Sequence, residues 1–294
     1  MAERQITLTP DIEPPRVPIP HISYSQLSMY LRCSMQYFFR YVLGLKERPG
    51  LALGIGKGGH STLEYNGRHK IKTGADLDMP DMLDMASTFL DLETADLTPE
   101  DLRGQDRGEA KDRAIAALRV YRQRDAEAVK PAGVEVEFML DLNEPNQEPI
   151  RIINGKIDLI TTDAGVDDYK FVRQARSQDE VDFSPQLTLY AKVFQTLTGK
   201  YPARVGYRMF LPGSTRTPPD SRAIHRDAAL MGAKAQESRF ERLKFQFRQV
   251  ERGIKSGLFI PTDDPKTCSW CGYRDRCQSS LVNDFEAAKI RGEA

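Results

Sequence analysis

Four cysteines in 294 residues are too few for a disulfide-built secreted scaffold, which would be shorter and denser in Cys. No apolar run approaches the length that crosses a bilayer. The polar start Met1-Ala2-Glu3-Arg4-Gln5 lacks the apolar stretch of a signal peptide. The expected location is therefore the cytoplasm, of a cell or of a phage-infected cell, with no membrane partner. Net charge is missing too, because 42 Lys and Arg are matched by 42 Asp and Glu. That argues against non-specific coating of nucleic acid, yet leaves room for a local basic channel beside an acidic site. No G-x-x-x-x-G-K-[ST] occurs, so no ATP motor is expected. Gly54-Ile55-Gly56-Lys57-Gly58-Gly59 fits a dinucleotide-binding pattern in letters only, since a helix rather than a strand is expected before it.

What is present, 40% hydrophobic and 29% charged residues, is the composition of an ordinary globular protein. Residues 1–22 are Pro-rich and read as an extended arm. Ser25 is placed to cap a helix running to about Val42, with Leu27, Tyr30, Leu31, Ser34, Phe38 and Tyr41 on one face. A second helix includes His60, Leu63 and Glu64. Residues 75–130 read as a helical insert without evident chemistry. The period then changes to two. Val134 to Leu142, Ile150 to Thr161, Val166 to Val172 and Ala203 to Leu211 read as strands, with a turn at Asp163-Ala164-Gly165. Residues 184–198 form a helix ending at Gly199, 212–222 a Pro/Ser/Thr loop, about 228–256 a long charged helix, and 281–294 a charged tail. This order indicates α/β or mixed α+β architecture.

The chemistry concentrates in Gly155-Lys156-Ile157-Asp158 and, ten residues on, Asp168-Tyr169-Lys170. Carboxylates on adjacent strands can converge on a hard cation such as Mg²⁺ or Mn²⁺, which keeps waters for substrate phosphates. A lysine beside them can offset charge developing on phosphate. Gln186 and Tyr190 are i and i+4 on the following helix and so share a face. The cysteines flank this set. Cys33 lies upstream and Cys268, Cys271 and Cys277, spaced C-x2-C-x5-C, lie downstream. That pattern suggests ligation rather than disulfides, and four thiolates suit Zn²⁺ or a [4Fe–4S] cluster.

Together these residues resemble the PD-(D/E)XK nuclease superfamily, and within it the RecB-like iron–sulfur branch that includes the CRISPR adaptation nuclease and the AddB C-terminal nuclease. The resemblance covers residues 23–278. Ser25-Gln26-Leu27 through Cys33 and Phe38 to Leu45 match the branch's N-terminal cysteine helix. Gly56 and His60 match its G-x-x-x-H segment, Asp158 its first metal-binding Asp, Asp168 and Lys170 its D/E-x-K pair, and Gln186 to Tyr190 its Q-x-x-x-Y helix. Gly257-Leu258-Phe259-Ile260-Pro261 and Cys268-Ser269-Trp270-Cys271 to Cys277 match its C-terminal cluster segment. Ser34 stands where the family usually has Pro, and the short segment between Asp158 and Asp168 implies a tight hairpin.

The resemblance implies a restriction-endonuclease-like core sheet flanked by helices, in a single nuclease domain over 23–280. Within that domain 75–130 is the helical insert, and 257–280 is the cluster-binding segment. It implies that His60, Asp158, Asp168 and the Tyr169 carbonyl bind Mg²⁺ or Mn²⁺. Lys170 would be catalytic, and Gln186 and Tyr190 would position the lysine, the metal ligands or DNA. Cys33, Cys268, Cys271 and Cys277 would hold a [4Fe–4S] cluster joining the N- and C-terminal segments. The implied function is a metal-dependent DNA exonuclease acting on single-stranded DNA or duplex ends, in recombination, repair or phage DNA processing, with DNA and a recombination or CRISPR-adaptation protein as partners. Lys57 and Arg173, each beside a site motif, are candidates for phosphate contacts. The alternatives are a CRISPR-adaptation or structure-specific endonuclease, and a non-catalytic iron–sulfur DNA-binding subunit.

Overall fold

The computed structural model describes residues 20–279 apart from 48 and 146. The Pro-rich arm therefore falls outside the described residues up to residue 19, as does the whole charged tail. A short strand, β1 (His21–Ser23), precedes α1 (Tyr24–Arg32), which opens with a capping box: the Ser23 hydroxyl accepts from Gln26 N and the Gln26 side chain accepts from Ser23 N. The cap is thus Ser23 rather than Ser25. The single helix expected to reach Val42 also breaks. Cys33 is extended at φ −162° and ψ 102°, and α2 (Ser34–Tyr37) and a π-helical turn (Phe38–Val42) follow. A tertiary contact stands at the break: Ser34 Oγ accepts from Ile260 N at 2.6 Å and donates to Ile260 O at 3.2 Å.

The chain continues through α3 (Leu51–Thr73), α4 (Met79–Thr94), α5 (Pro99–Leu102), α6 (Arg107–Arg124), β2 (Pro131–Leu140), β3 (Ile152–Thr161), β4 (Gly165–Phe171), α7 (Gln178–Asp182) and α8 (Pro185–Thr198). After these come β5 (Arg204–Leu211), β6 (Asp220–Asp227), α9 (Gly232–Lys255) and α10 (Pro265–Ser269). The result is a mixed α/β protein with a central mixed sheet flanked by helices, as expected. Its residues fall into two compact units.

One unit comprises Arg48–Leu140 and Asn154–Phe245. Its strands lie in the order β3-β4-β5-β6 with β2 beside β3. The β3–β4 and β5–β6 pairs are antiparallel, and β4–β5 is parallel through the α7–α8 crossover. The core gathers Leu63, Met82, Leu118, Tyr121, Leu159, Tyr169 and Phe210. β6 lies over the end of the expected 212–222 loop and over residues 223–227, to which the sequence assigned no element. Its residues, Asp-Ser-Arg-Ala-Ile-His-Arg-Asp, carry almost no apolar alternation, and its pairing along β5 supplies the order that the pattern lacks. α3 begins at Leu51 and absorbs the glycine-rich stretch. A Cβ on Gly58 would stand 2.9 Å from the Leu90 backbone on α4, and one on Gly59 would enter the Phe171 ring. Close packing, not a nucleotide loop, accounts for these glycines.

The other unit comprises Met1–Glu47, Asp141–Ile153 and Gln246–Ala294. Tyr30, Tyr37, Phe38 and Phe259 form an aromatic cluster with ring centroids 5.1–6.5 Å apart. Arg151 ties its three chain segments together, donating to Glu251 Oε1 at 2.7 Å and to the Tyr37 hydroxyl at 3.1 Å. Tyr273 donates to Leu45 O, joining the last described segment to the first.

Two glycine substitutions test the α3 packing. Gly58→Ala should destabilise the protein by about 1–3 kcal/mol through overpacking against α4. Gly56→Ala, where a Cβ meets nothing within 4 Å, should stabilise it by roughly 0.5–1 kcal/mol through helix propensity. Denaturant unfolding of both variants is the measurement, and equal effects of one sign would contradict the packing argument.

Candidate metal centre

Leu159 pairs with Asp167 and Ile160 with Val166 across the β3–β4 ladder. Asp158 and Asp168 are the next residues on the two strands and lie on one side of them, where the paired stretch ends and Tyr169 N bonds the Asp158 carboxylate. Side chains alternate along a strand, so Asp168 and Lys170 share one face of β4 while Asp167 occupies the other. On that other face Asp167 is fully buried, accepts from Arg208 at 2.8 Å, and lies 2.7 Å from His225 Nε2. Burial opposes its ionisation, but His225 and Arg208 outweigh burial and hold the carboxyl below its ordinary range. This is a structural ion cluster that anchors β4 to β5 and β6.

On the first face Lys170 Nζ stands 2.6 Å from Asp168 Oδ2 and donates to Gln186 Oε1 at 3.3 Å. Buried Asp168 Oδ2 has this ammonium as its partner and accepts no hydrogen bond from another group. Asp168 Oδ1 accepts from Gln186 Nε2 at 2.7 Å and from the Tyr190 hydroxyl at 3.4 Å. Gln186 Nε2 also donates to the Tyr190 oxygen at 3.1 Å. The i, i+4 spacing of these two residues therefore delivers one linked pair. Ser184 makes this possible, since its hydroxyl caps α8 at Leu187 N and meets the Tyr207 hydroxyl at 2.7 Å.

Across the ladder, Asp158 Oδ2 accepts from Tyr169 N at 2.7 Å. α3 brings His60 over this pair. Its Nε2 donates to the Tyr169 carbonyl at 3.0 Å, and its Nδ1 lies 3.5 Å from Asp158 Oδ2 and 3.9 Å from Glu135 Oε1. Burial and the Asp168 charge push the Asp158 pKa up to about 7. Burial disfavours the His60 imidazolium, yet Glu135, Asp158 and Asp168 outweigh it and raise its pKa.

Among the described residues, the tight group of metal-ligating side chains is His60, Glu135 and Asp158, whose ligand atoms lie within 4.8 Å of one another. Asp168 adjoins this group rather than entering it. Glu135 was missed by sequence reasoning. The β2 alternation assigns it to the solvent face, but its φ of +49° is a left-handed break in the strand, and its carboxylate faces His60. Of the two candidate phosphate contacts, Lys57 is paired with Glu93 at 3.4 Å, and Arg173 donates to Gln105 at 3.1 Å.

The four cysteines are free thiols lining one cavity of about 220 Å³, where Cys33 meets Cys268, Cys271 and Cys277. Cys268 Sγ donates to Thr262 O at 3.2 Å. Burial and the neighbouring sulfurs raise the pKa values of Cys268 and Cys277. The sulfurs do not gather into a group as tight as the one around His60.

The profile of the PD-(D/E)XK nuclease superfamily matches residues 21–278. No curated protein matches the chain. Among solved structures, the crystal structure of SSO0001 is 14% identical, covers 74% of this chain and 94% of its own, and superposes with a TM-score of 0.33, a likeness too loose to carry an argument.

The clustered charges predict how the metal-free protein responds to pH. Both Asp158 and His60 bind protons more tightly in the folded state than in the unfolded one. Their contribution to stability is full in acid and is lost as pH rises through their raised pKa values, for Asp158 between about 4 and about 7. Asp158→Asn should therefore exceed wild type in stability at pH 8 in EDTA, by up to about 4 kcal/mol, with the gap closing near pH 4. Parallel stability–pH curves for the two proteins would contradict the assignment.

Proposed function

The chain belongs to the PD-(D/E)XK nuclease superfamily over residues 21–278, and from that premise we propose a DNA exonuclease that uses Mg²⁺ or Mn²⁺ and acts on single-stranded DNA or frayed duplex ends. Metal-dependent nuclease activity is what the superfamily implies. The carrying observation is the Asp158–Asp168 pair on one side of β3 and β4, with Lys170 held against Asp168. Three features suit a divalent cation: a buried Asp168 oxygen met by Lys170 alone, an Asp158 carboxyl whose ionisation its surroundings oppose, and His60 and Glu135 beside them. His60, Asp158, Asp168 and the Tyr169 carbonyl would hold it, with Glu135 as a further oxygen donor. Bound there, the ion would polarise a phosphate and lower the pKa of a water.

The residues divide the remaining work. Tyr169 N fixes Asp158, while Gln186 and Tyr190 fix Asp168, so neither carboxylate has to reorganise as charge builds on the phosphate. Lys170 keeps its ammonium at the same face, where it can donate to a non-bridging oxygen. Its position over the Tyr207 ring, 5.4 Å from the centroid, limits where that ammonium can go.

We also infer that Cys33, Cys268, Cys271 and Cys277 hold a [4Fe–4S] cluster with a structural role in a nuclease domain spanning 23–280. Support comes from the donor set and the shared cavity: four thiols from the α1–α2 break and from the α10 region line one space. Closing so long a loop would restrict the unfolded chain by on the order of 5 kcal/mol, on the entropy model used for disulfides.

Cleavage of end-labelled DNA should require a divalent cation and stop in EDTA. Asp158→Ala, Asp168→Ala and Lys170→Ala should each lower the rate by at least about 100-fold, with Lys170→Ala sparing DNA binding more than cleavage. Wild-type cleavage by Asp158→Ala would discard the site. Preferential loss of linear over circular single-stranded substrate is the exonuclease signature.

Protein purified without oxygen should contain iron and sulfide, and Cys33→Ser should lose both and melt at a lower temperature. Stoichiometric zinc without iron would overturn the cluster.

A further inference from the structure

A second cavity, of about 120 Å³, adjoins the metal centre through one shared side chain. Phe171, two positions beyond Tyr169 on β4, has its ring centroid 6.2 Å from that of His60. Phe171 also forms a wall of the cavity, stacked on Phe210 at 4.7 Å and 14°. Leu51 and Ile55 from α3 add apolar surface, and buried Ala114 and Ala117 of α6 close the cavity behind. Arg173 stands on the rim. It donates to Gln105 Oε1 and forms no ion pair among the described residues.

An aromatic wall at Phe171 backed by buried Phe210, apolar neighbours, a cation without an ion pair at the edge and a ring shared with the metal centre suit one kind of occupant. We propose that this cavity receives the terminal nucleobase of the DNA strand being cut, with Arg173 on that nucleotide's phosphate. The inference rests on the nuclease reading and deepens it. A base that enters must be unpaired and unstacked, which costs less at the end of a strand than in its interior. The helical insert, which looks chemically empty in sequence, thereby supplies the back of a substrate pocket and Gln105 at its rim. Stacking on aromatic rings tolerates any base, so the pocket would select an end rather than a sequence.

The test uses the full chain carrying Lys170→Ala, so that DNA is bound in Mg²⁺ without being consumed. The probes are short single-stranded oligonucleotides with 2-aminopurine at the 5′ end, the 3′ end or the centre, and matched oligonucleotides whose end is abasic. Emission from one terminal 2-aminopurine should fall several-fold on binding, while the central probe responds less. Ala52 lines the cavity from an exposed position, so Ala52→Trp should fill the mouth without disturbing the core. It should weaken the base-ended oligonucleotide about tenfold and the abasic one less than twofold. Arg173→Ala should weaken both equally and leave melting unchanged. If neither end responds, or if Ala52→Trp weakens both oligonucleotides alike, the cavity is not a base pocket. Wild-type protein that still cuts DNA in that case keeps the nuclease reading, whereas wild-type protein that cuts no DNA removes both.

Discussion

Two aspartates on one side of neighbouring strands set the terms for everything around them. Burial, and then the neighbouring Asp168 charge, oppose ionisation of Asp158, whose carboxyl is driven up to about 7. The register that imposes this is fixed from the far face. Asp167 sits between Arg208 and His225, and its neighbour Tyr169 is buried in the core. Slipping β4 by one residue would carry Asp167 to the site face and strand Asp168 among core side chains. The alternation that makes one carboxylate structural therefore makes its neighbour available to a cation.

A buried arginine–carboxylate pair is seldom a net source of stability, because desolvation consumes much of the attraction. At Asp167 its value is in registration. Arg208 reaches Asp167 from β5 and lies 5.8 Å from the Tyr121 ring of α6, so the same guanidinium relates β4, β5 and the insert. Removing the arginine would leave a fully buried carboxylate with His225 as its remaining side-chain partner, which explains why such a cluster persists once formed.

The sequence made the main part of this legible because the informative residues lie on regular elements. Asp158, Asp168 and Lys170 occupy strands whose period of two is clear, and Gln186 and Tyr190 occupy a helix bounded by Ser184 and Gly199. Reading failed where tertiary contact overrides local pattern. Cys33 breaks a helix whose apolar face reads as continuous, beside Ser34 bonding to Ile260. β6 carries charge on both faces and becomes a strand because β5 offers it a partner along its whole length. Glu135 was hidden for a subtler reason. A perfect β2 would point it to solvent, and only a left-handed residue, a conformation disfavoured by roughly 1–2 kcal/mol for a side chain with Cβ, turns it toward His60. Nothing in the letters of Val134-Glu135-Val136 announces that turn.

His60 shows how far the centre depends on residues without chemistry of their own. Its position comes from α3, and α3 lies where it does because Gly58 lets the α4 backbone approach and Gly59 leaves room for the Phe171 ring. Phe171 then rests against both His60 and Phe210, and Phe210 against Tyr169 and Tyr121. A Cβ at Gly59 would have to displace Phe171, which would move the ring beside the histidine and the wall of the adjoining cavity together. The glycines that imitate a nucleotide-binding loop in sequence thus serve the site by their lack of side chains, and the helix can present one imidazole to the carboxylates because the positions around it occupy almost no volume.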